Sequence, residues 1–373
     1  MAIFDVPLAV LRQRTSMKWT RYPADVLPMW VAEMDCLPSP GVRRALEHAV
    51  RIGDLGYPGY DALPQAFVRF ARDWWGLDLD QAQTMPCSDV VAGMSDLVDQ
   101  LTSPGAEVVI NTPVYPPFRL CATTRGRQAV EVPTTADGRL DLQLLGAAFA
   151  RDQVEAFLLC NPHNPHGTVP TRAELAAVAA LAAEHAVRVI SDEIHAPLVA
   201  AGVPFTPYLS VPGSEQAYAV VSASKSFNLA ALKAGLLVAG TAAVDEMRAF
   251  PYEIQAGSSH LGLMLQAAAL DQDRDWLAQV NREIVDHKRL LAELLAPLGL
   301  DYQPSPGTYL AWVDASATGW QNPAAALLER GRVAFNPGAD YAADHAAWVR
   351  INLATSPDLI REGVRRVAAA LGR

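Results

Sequence analysis

Between about residue 45 and residue 260, short β-rich runs alternate with alanine-rich helical stretches, and this alternation constrains the chain more than any other feature. A strand followed by a helix buries both apolar faces by returning alongside its predecessor, so the pattern predicts an α/β protein with a mostly parallel sheet and helices on its faces. The strand candidates are 107–110, 129–133, 156–160, 187–190, 218–221 and 236–239. Between the third and fourth, Thr171-Arg172-Ala173-Glu174 has the form of a capping box. It opens a helix running to about His185, with Leu175, Val178, Leu181 and Ala182 on one side, and completes a βαβ unit.

At 373 residues the chain exceeds the size at which one core keeps growing, so a large domain with a smaller companion is expected. Residues 1–44, rich in proline and aromatics, read as an irregular arm that must lean on the rest and join the smaller domain. Residues 45–261 form the large domain. From 262 the pattern changes to a long helical stretch reaching Leu295, strand-like 308–313 and 348–353, and helices near 323–330 and 357–371, which read as a small α/β domain. The boundary near 262 is expected inside a helix.

The net charge of -10, with no basic cluster, argues against a nucleic-acid or anionic-membrane surface. Cys36, Cys87, Cys121 and Cys160 are far apart, so neither a disulfide framework nor a zinc site is indicated. No apolar run approaches the roughly 18 residues of a membrane helix, and the first residues lack a signal pattern, so a cytoplasmic protein is expected.

In an open α/β sheet, ligands bind beyond the carboxyl ends of the strands. Here those ends carry Tyr115 after 107–110, Asn164 in Asn161-Pro162-His163-Asn164-Pro165-His166-Gly167 after 156–160, Asp192 with His195 after 187–190, and Lys225 after 218–221. The run Ser222-Ala223-Ser224-Lys225 puts a lone ammonium among small hydroxyl residues, where poor solvation lowers its pKa and frees its lone pair to attack a carbonyl. Taken singly, Asp192 reads as a turn residue, Tyr115 as loop packing, and the proline-rich run as two tight turns. A metal site built from His163, His166, His195 and Asp192 is disfavoured, because the prolines break the helix that would pair the histidines.

The ordered set suits an aldehyde cofactor with a pyridine ring. The amine forms an imine, the carboxylate pairs with the ring nitrogen, the amide donates to the ring hydroxyl and the aromatic stacks on its face. The cofactor's phosphate wants hydroxyls, backbone N–H groups at a helix start and a cation. Ser222 and Ser224, the helix opening at Asp89-Val90-Val91, and Lys233 supply these.

With these residues in hand, the chain resembles the fold-type I pyridoxal-phosphate enzymes of the aspartate aminotransferase superfamily along nearly its whole length. More narrowly, it is similar to the MalY/PatB group of cystathionine β-lyases. The narrower likeness rests on Met29-Trp30-Val31-Ala32-Glu33-Met34-Asp35, Asn111-Thr112-Pro113-Val114-Tyr115-Pro116-Pro117-Phe118, Asn161-Pro162-His163-Asn164-Pro165, Ser191-Asp192-Glu193-Ile194-His195 and Gly307-Thr308-Tyr309-Leu310-Ala311-Trp312. The resemblance implies a seven-stranded, mostly parallel sheet and pyridoxal 5'-phosphate joined to Lys225. It also implies Asp192 on the ring nitrogen, Asn164 beside the ring hydroxyl, Tyr115 stacked on the ring, and Arg350 clamping the substrate α-carboxylate. It further implies that Trp30 and Tyr60 border the substrate and that Tyr57 is lent to the neighbouring subunit's phosphate, so that a homodimer with shared active sites is expected.

The chain departs from the family at several positions. Lys233 stands where an arginine is usual, His195 where many aminotransferases have a tyrosine, and Ser88-Asp89 where Pro-Gly commonly precedes the two valines. Glu33 and Cys36 replace an aspartate and a phenylalanine. The reaction implied is β-elimination from cystathionine or related cysteine S-conjugates, with Lys225 as general base, giving a thiol, pyruvate and ammonia. Transamination of an amino acid with a 2-oxo acid, and a catalytically idle regulatory relative, are the alternatives.

Overall fold

The computed structural model describes residues 2–373. Seven strands form the main sheet: β1 (Thr84–Cys87), β2 (Glu107–Thr112), β3 (Gln128–Pro133), β4 (Val154–Cys160), β5 (Arg188–Asp192), β6 (Tyr218–Val221) and β7 (Gly235–Ala239). Their order is β1-β7-β6-β5-β4-β2-β3, and only β7 runs antiparallel to its neighbours. Six of them lie where the alternation predicts. The seventh, β1, reads Thr-Met-Pro-Cys, whose central proline and lack of a β-branched apolar run hide it from the strand pattern.

The strands are buried on both faces, as a parallel sheet covered by helices requires. Alternate residues serve different cores: Val108, Ile110 and Leu158 pack on one face, while Val109, Phe157 and Leu159 pack on the other. The capping box forms as expected, with the Thr171 hydroxyl accepting from the Glu174 N–H at 3.2 Å and the Glu174 carboxylate accepting from the Thr171 N–H at 2.7 Å. The helix it opens spans Arg172–Glu184.

The helix His260–Gln272 is buried around most of its circumference, and its leucines and alanines share a core with the helix Ala62–Trp75. Residue 262, expected near the domain boundary, therefore lies inside large-domain packing. A second core begins at Leu291 of the following helix, Arg274–Leu295, and takes in Leu295, Val313 and Ile351. We place the change of domain along that helix. The small lobe is an antiparallel sheet in which β8 (Leu310–Asp314) and β9 (Asn336–Pro337) flank β10 (Trp348–Asn352), covered by the helix Pro357–Ala370. The arm joins this lobe through Leu27 and Pro28, which pair in parallel with Val333 and Ala334.

Candidate active site

The carboxyl ends of β2, β4, β5 and β6 open on a cleft of about 230 Å³ between the two lobes. Tyr115, Asn164, Asp192, His195 and Lys225 line it from the sheet, Val90 and Val91 from a helix start, and Arg350 and Trp30 from β10 and the arm. Nine of the sequence-predicted residues thus meet in one cavity, although up to 320 positions separate them along the chain.

Arg350 organises the far wall. Its Nη1 donates to the Asn164 side-chain oxygen at 3.1 Å, and its Nη2 donates to Asn336 Oδ1 at 2.9 Å and to the Trp30 carbonyl at 3.3 Å. The guanidinium carbon stands 5.1 Å from the Tyr341 ring centroid and 5.9 Å from that of Tyr115. Its Nε is buried without a hydrogen-bond partner, as is Nδ1 of His195. Buried polar atoms left unpaired are costly, so a cavity lined by two of them is shaped for a polar ligand.

Lys225 Nζ donates to the Ala32 carbonyl at 3.1 Å. Burial lowers its pKa to about 8, with the Arg350 cation adding to the effect and Asp192 opposing it. Burial pushes the Asp192 carboxyl up to about 7, against the Ile194 N–H it accepts at 3.0 Å and the Lys225 charge. Desolvation also raises the Tyr115 phenol and carries His195 well below its ordinary value, leaving the imidazole neutral. A nucleophilic amine, a carboxylate and a guanidinium, the last two on buried side chains, thus face one cleft.

The arm between Trp30 and Cys36 is hooked into place by residues to which the motif reading gave no role. Asn228 exchanges hydrogen bonds with Met34, donating to its carbonyl at 3.0 Å and accepting its N–H at 2.8 Å. Asn352 donates to the Val31 and Glu33 carbonyls at 2.8 and 2.7 Å. Lys18 and Asp35, both buried, form an ion pair at 2.7 Å. Asn228 lies three residues past Lys225 and Asn352 two past Arg350, so the same segments that carry the reactive groups also clamp the wall opposite. That spacing is visible in the sequence, but its partners are not.

Other predicted residues stand elsewhere. The Ser222 hydroxyl donates to the Ala234 carbonyl at 2.8 Å and lies 3.2 Å from Gln266 Oε1, so it faces the core behind the cleft. Neither Ser222 nor Ser224 is part of the lining. Lys233 is 61% exposed and outside the lining, but it meets the edge of the cleft through its pair with Asp89 at 2.6 Å, and Asp89 does line the cleft. Tyr60 reaches Tyr252, with their hydroxyls 3.2 Å apart, and Tyr57 is 99% exposed. Neither tyrosine borders the cleft of its own chain.

Residues 26–367 match the family profile described as aminotransferase class I and II. The chain belongs to that family. It is similar, at 42% identity over 97% of this chain and 96% of the relative, to a Mycobacterium leprae protein provisionally named cystathionine beta-lyase. A cystathionine beta-lyase of Corynebacterium glutamicum is 33% identical over 98% of this chain and 99% of its own. The fold is also similar to a crystal structure from Corynebacterium diphtheriae, provisionally described as a PLP-dependent beta-cystathionase. The TM-score is 0.95 at 32% identity, covering 100% of this chain and 99% of that one.

Proposed function

We propose that this chain is a pyridoxal 5'-phosphate-dependent carbon–sulfur β-lyase acting on cystathionine or related cysteine S-conjugates. The observation that carries the reading is the convergence of Lys225, Asp192 and Arg350 on one cleft, with Asn164 and Tyr115 between them. The relatives' names select the lyase chemistry over the transamination that the family also hosts.

The residues present suit the coenzyme: an amine of lowered pKa for its aldehyde, a buried carboxylate for its ring nitrogen, an aromatic beside Asn164 for its face, and two lining residues, Arg350 and His195, that each keep a buried nitrogen unpaired. When bound, pyridoxal phosphate supplies an electron-withdrawing ring that stabilises negative charge at the substrate Cα. Asp192 in its anionic form would pair with the coenzyme's ring nitrogen and favour its protonated form. Arg350 holds the α-carboxylate through its planar guanidinium and so orients the Cα–H bond. Lys225 in its neutral form takes the proton from Cα. The Cβ–S bond then breaks with its electron pair leaving on sulfur, and the released unsaturated amino acid takes up water to give pyruvate and ammonia.

The working unit in this reading is a homodimer in which Tyr57, free of its own cleft, reaches the partner's phosphate site. The outward-facing Val50, Ile52 and Leu55 support such an interface. We place the protein in the cytoplasm on the strength of its four free cysteines. No helix among the described residues is long and apolar enough to cross a membrane.

The test is to incubate the purified protein with cystathionine and assay thiol and pyruvate together, beside a keto-acid exchange assay. Equal yields of thiol and pyruvate are expected. Keto-acid exchange without thiol release would replace the lyase reading with an aminotransferase.

A further inference from the structure

The helix Val90–Leu101 begins at the cleft, and its first N–H groups and Lys233 are the groups an entering phosphate would seek. One of those N–H groups, that of Ala92, and the Lys233 ammonium are already engaged by one side chain. Asp89 Oδ1 accepts from the Ala92 N–H at 2.8 Å, and Oδ2 accepts from Lys233 Nζ at 2.6 Å. Asp89 itself lines the cavity beside Val90 and Val91. The unpaired Nε of Arg350 and Nδ1 of His195, both on buried residues of the same cavity, mark it independently as a ligand site.

We infer that Asp89 is an intramolecular competitor for the phosphate-binding end of the cleft and holds down the affinity for the phosphorylated coenzyme. The inference rests on the proposed coenzyme dependence and deepens it. A carboxylate and a phosphate cannot both take the Ala92 N–H and the Lys233 ammonium without bringing like charges together. The phosphate must displace the carboxylate from both groups or bind beside it against repulsion. Either way, the carboxylate weakens the hold on the phosphate and leaves the aldehyde end untouched.

Asp89→Asn and Asp89→Ser both retain a side-chain oxygen that accepts the helix N–H, so the helix keeps its cap while the charge is removed. The native protein and both variants are titrated with pyridoxal 5'-phosphate and, separately, with pyridoxal, which lacks the phosphate. Binding is followed by visible absorption. Both variants are expected to bind the phosphorylated aldehyde about tenfold more tightly than the native protein, as the removal of one nearby like charge warrants. Their pyridoxal affinities are expected to stay within about twofold of native. Unchanged or weaker affinity for the phosphorylated aldehyde in both variants, with native absorption intact, overturns this inference alone. If neither aldehyde gives absorption with the native protein, the proposed coenzyme dependence falls and this inference falls with it.

Discussion

At the scale of single residues, the cleft works by keeping charges short of solvent. Lys225 titrates at about 8 because burial disfavours its ammonium. Only the neutral amine attacks an aldehyde, so the rate of coenzyme uptake should rise with pH through about 8 and level off above it. Stopped-flow absorbance measures this, and a flat profile would contradict the assignment. Asp192 is displaced in the opposite sense, to about 7. Between its ordinary value near 4 and about 7 the folded state holds a proton that the unfolded chain has released, so this contribution to stability is present at low pH and is lost as pH rises through that window. Asn keeps the shape without the charge. In urea unfolding of coenzyme-free protein, Asp192→Asn should therefore be more stable than native at pH 8 by about 1 to 4 kcal/mol, with the difference vanishing toward pH 4. Arg350→Lys loses the planar fork and both aromatic contacts. The KM for cystathionine should rise by about ten- to a hundredfold, and an unchanged KM would remove Arg350 from the substrate site.

At the scale of elements, the loop after β4 is held from across the lobes. Gly167 has φ +70°, and its carbonyl accepts the Gly307 N–H at 2.7 Å. A Cβ there would collide with the Ser305 hydroxyl and the Gly307 carbonyl. Buried Lys288 braces the same turn, donating to the Ser305 and Gly307 carbonyls at 2.6 and 2.7 Å. Gly167→Ala combines backbone strain with a clash, so it should destabilise by about 2 kcal/mol or more and also raise KM, because Asn164 and its bond to Arg350 ride on this loop. Thr171→Ala, four residues on, removes only a helix cap. It should cost about 1 kcal/mol with KM unchanged. Thermal unfolding and steady-state kinetics on the pair separate loop position from general stability, and a Gly167→Ala enzyme with native KM would break the proposed link.

At the scale of the whole molecule, the prediction concerns assembly. Val50, Ile52 and Leu55 are each about 60% exposed and lie just before the fully exposed Tyr57. Ile52→Glu combined with Val50→Glu places charges on that surface and should shift the proposed dimer to monomer in light scattering. Coenzyme affinity should fall with it, as Tyr57 no longer reaches a partner. A dimer that survives both substitutions would remove this surface from the interface.

Much of this was legible in the chain alone, because it rests on local rules. The short β-rich runs specify strands, the Thr171–Glu174 pair specifies a helix start, and a lysine, a carboxylate, an amide and an aromatic at the strand ends specify a cleft chemistry once the sheet is parallel. What the tertiary structure decided is everything that depends on pairs far apart in sequence. Asn228 and Asn352 clamp the arm, Ser222 turns to the core, and Asp89 takes both the helix N–H and the Lys233 charge that would otherwise serve a phosphate. Periodicity records which face of an element is apolar. A hydrogen bond between residues 144 positions apart leaves no periodic trace, because its geometry exists only after the sheet and its helices have packed.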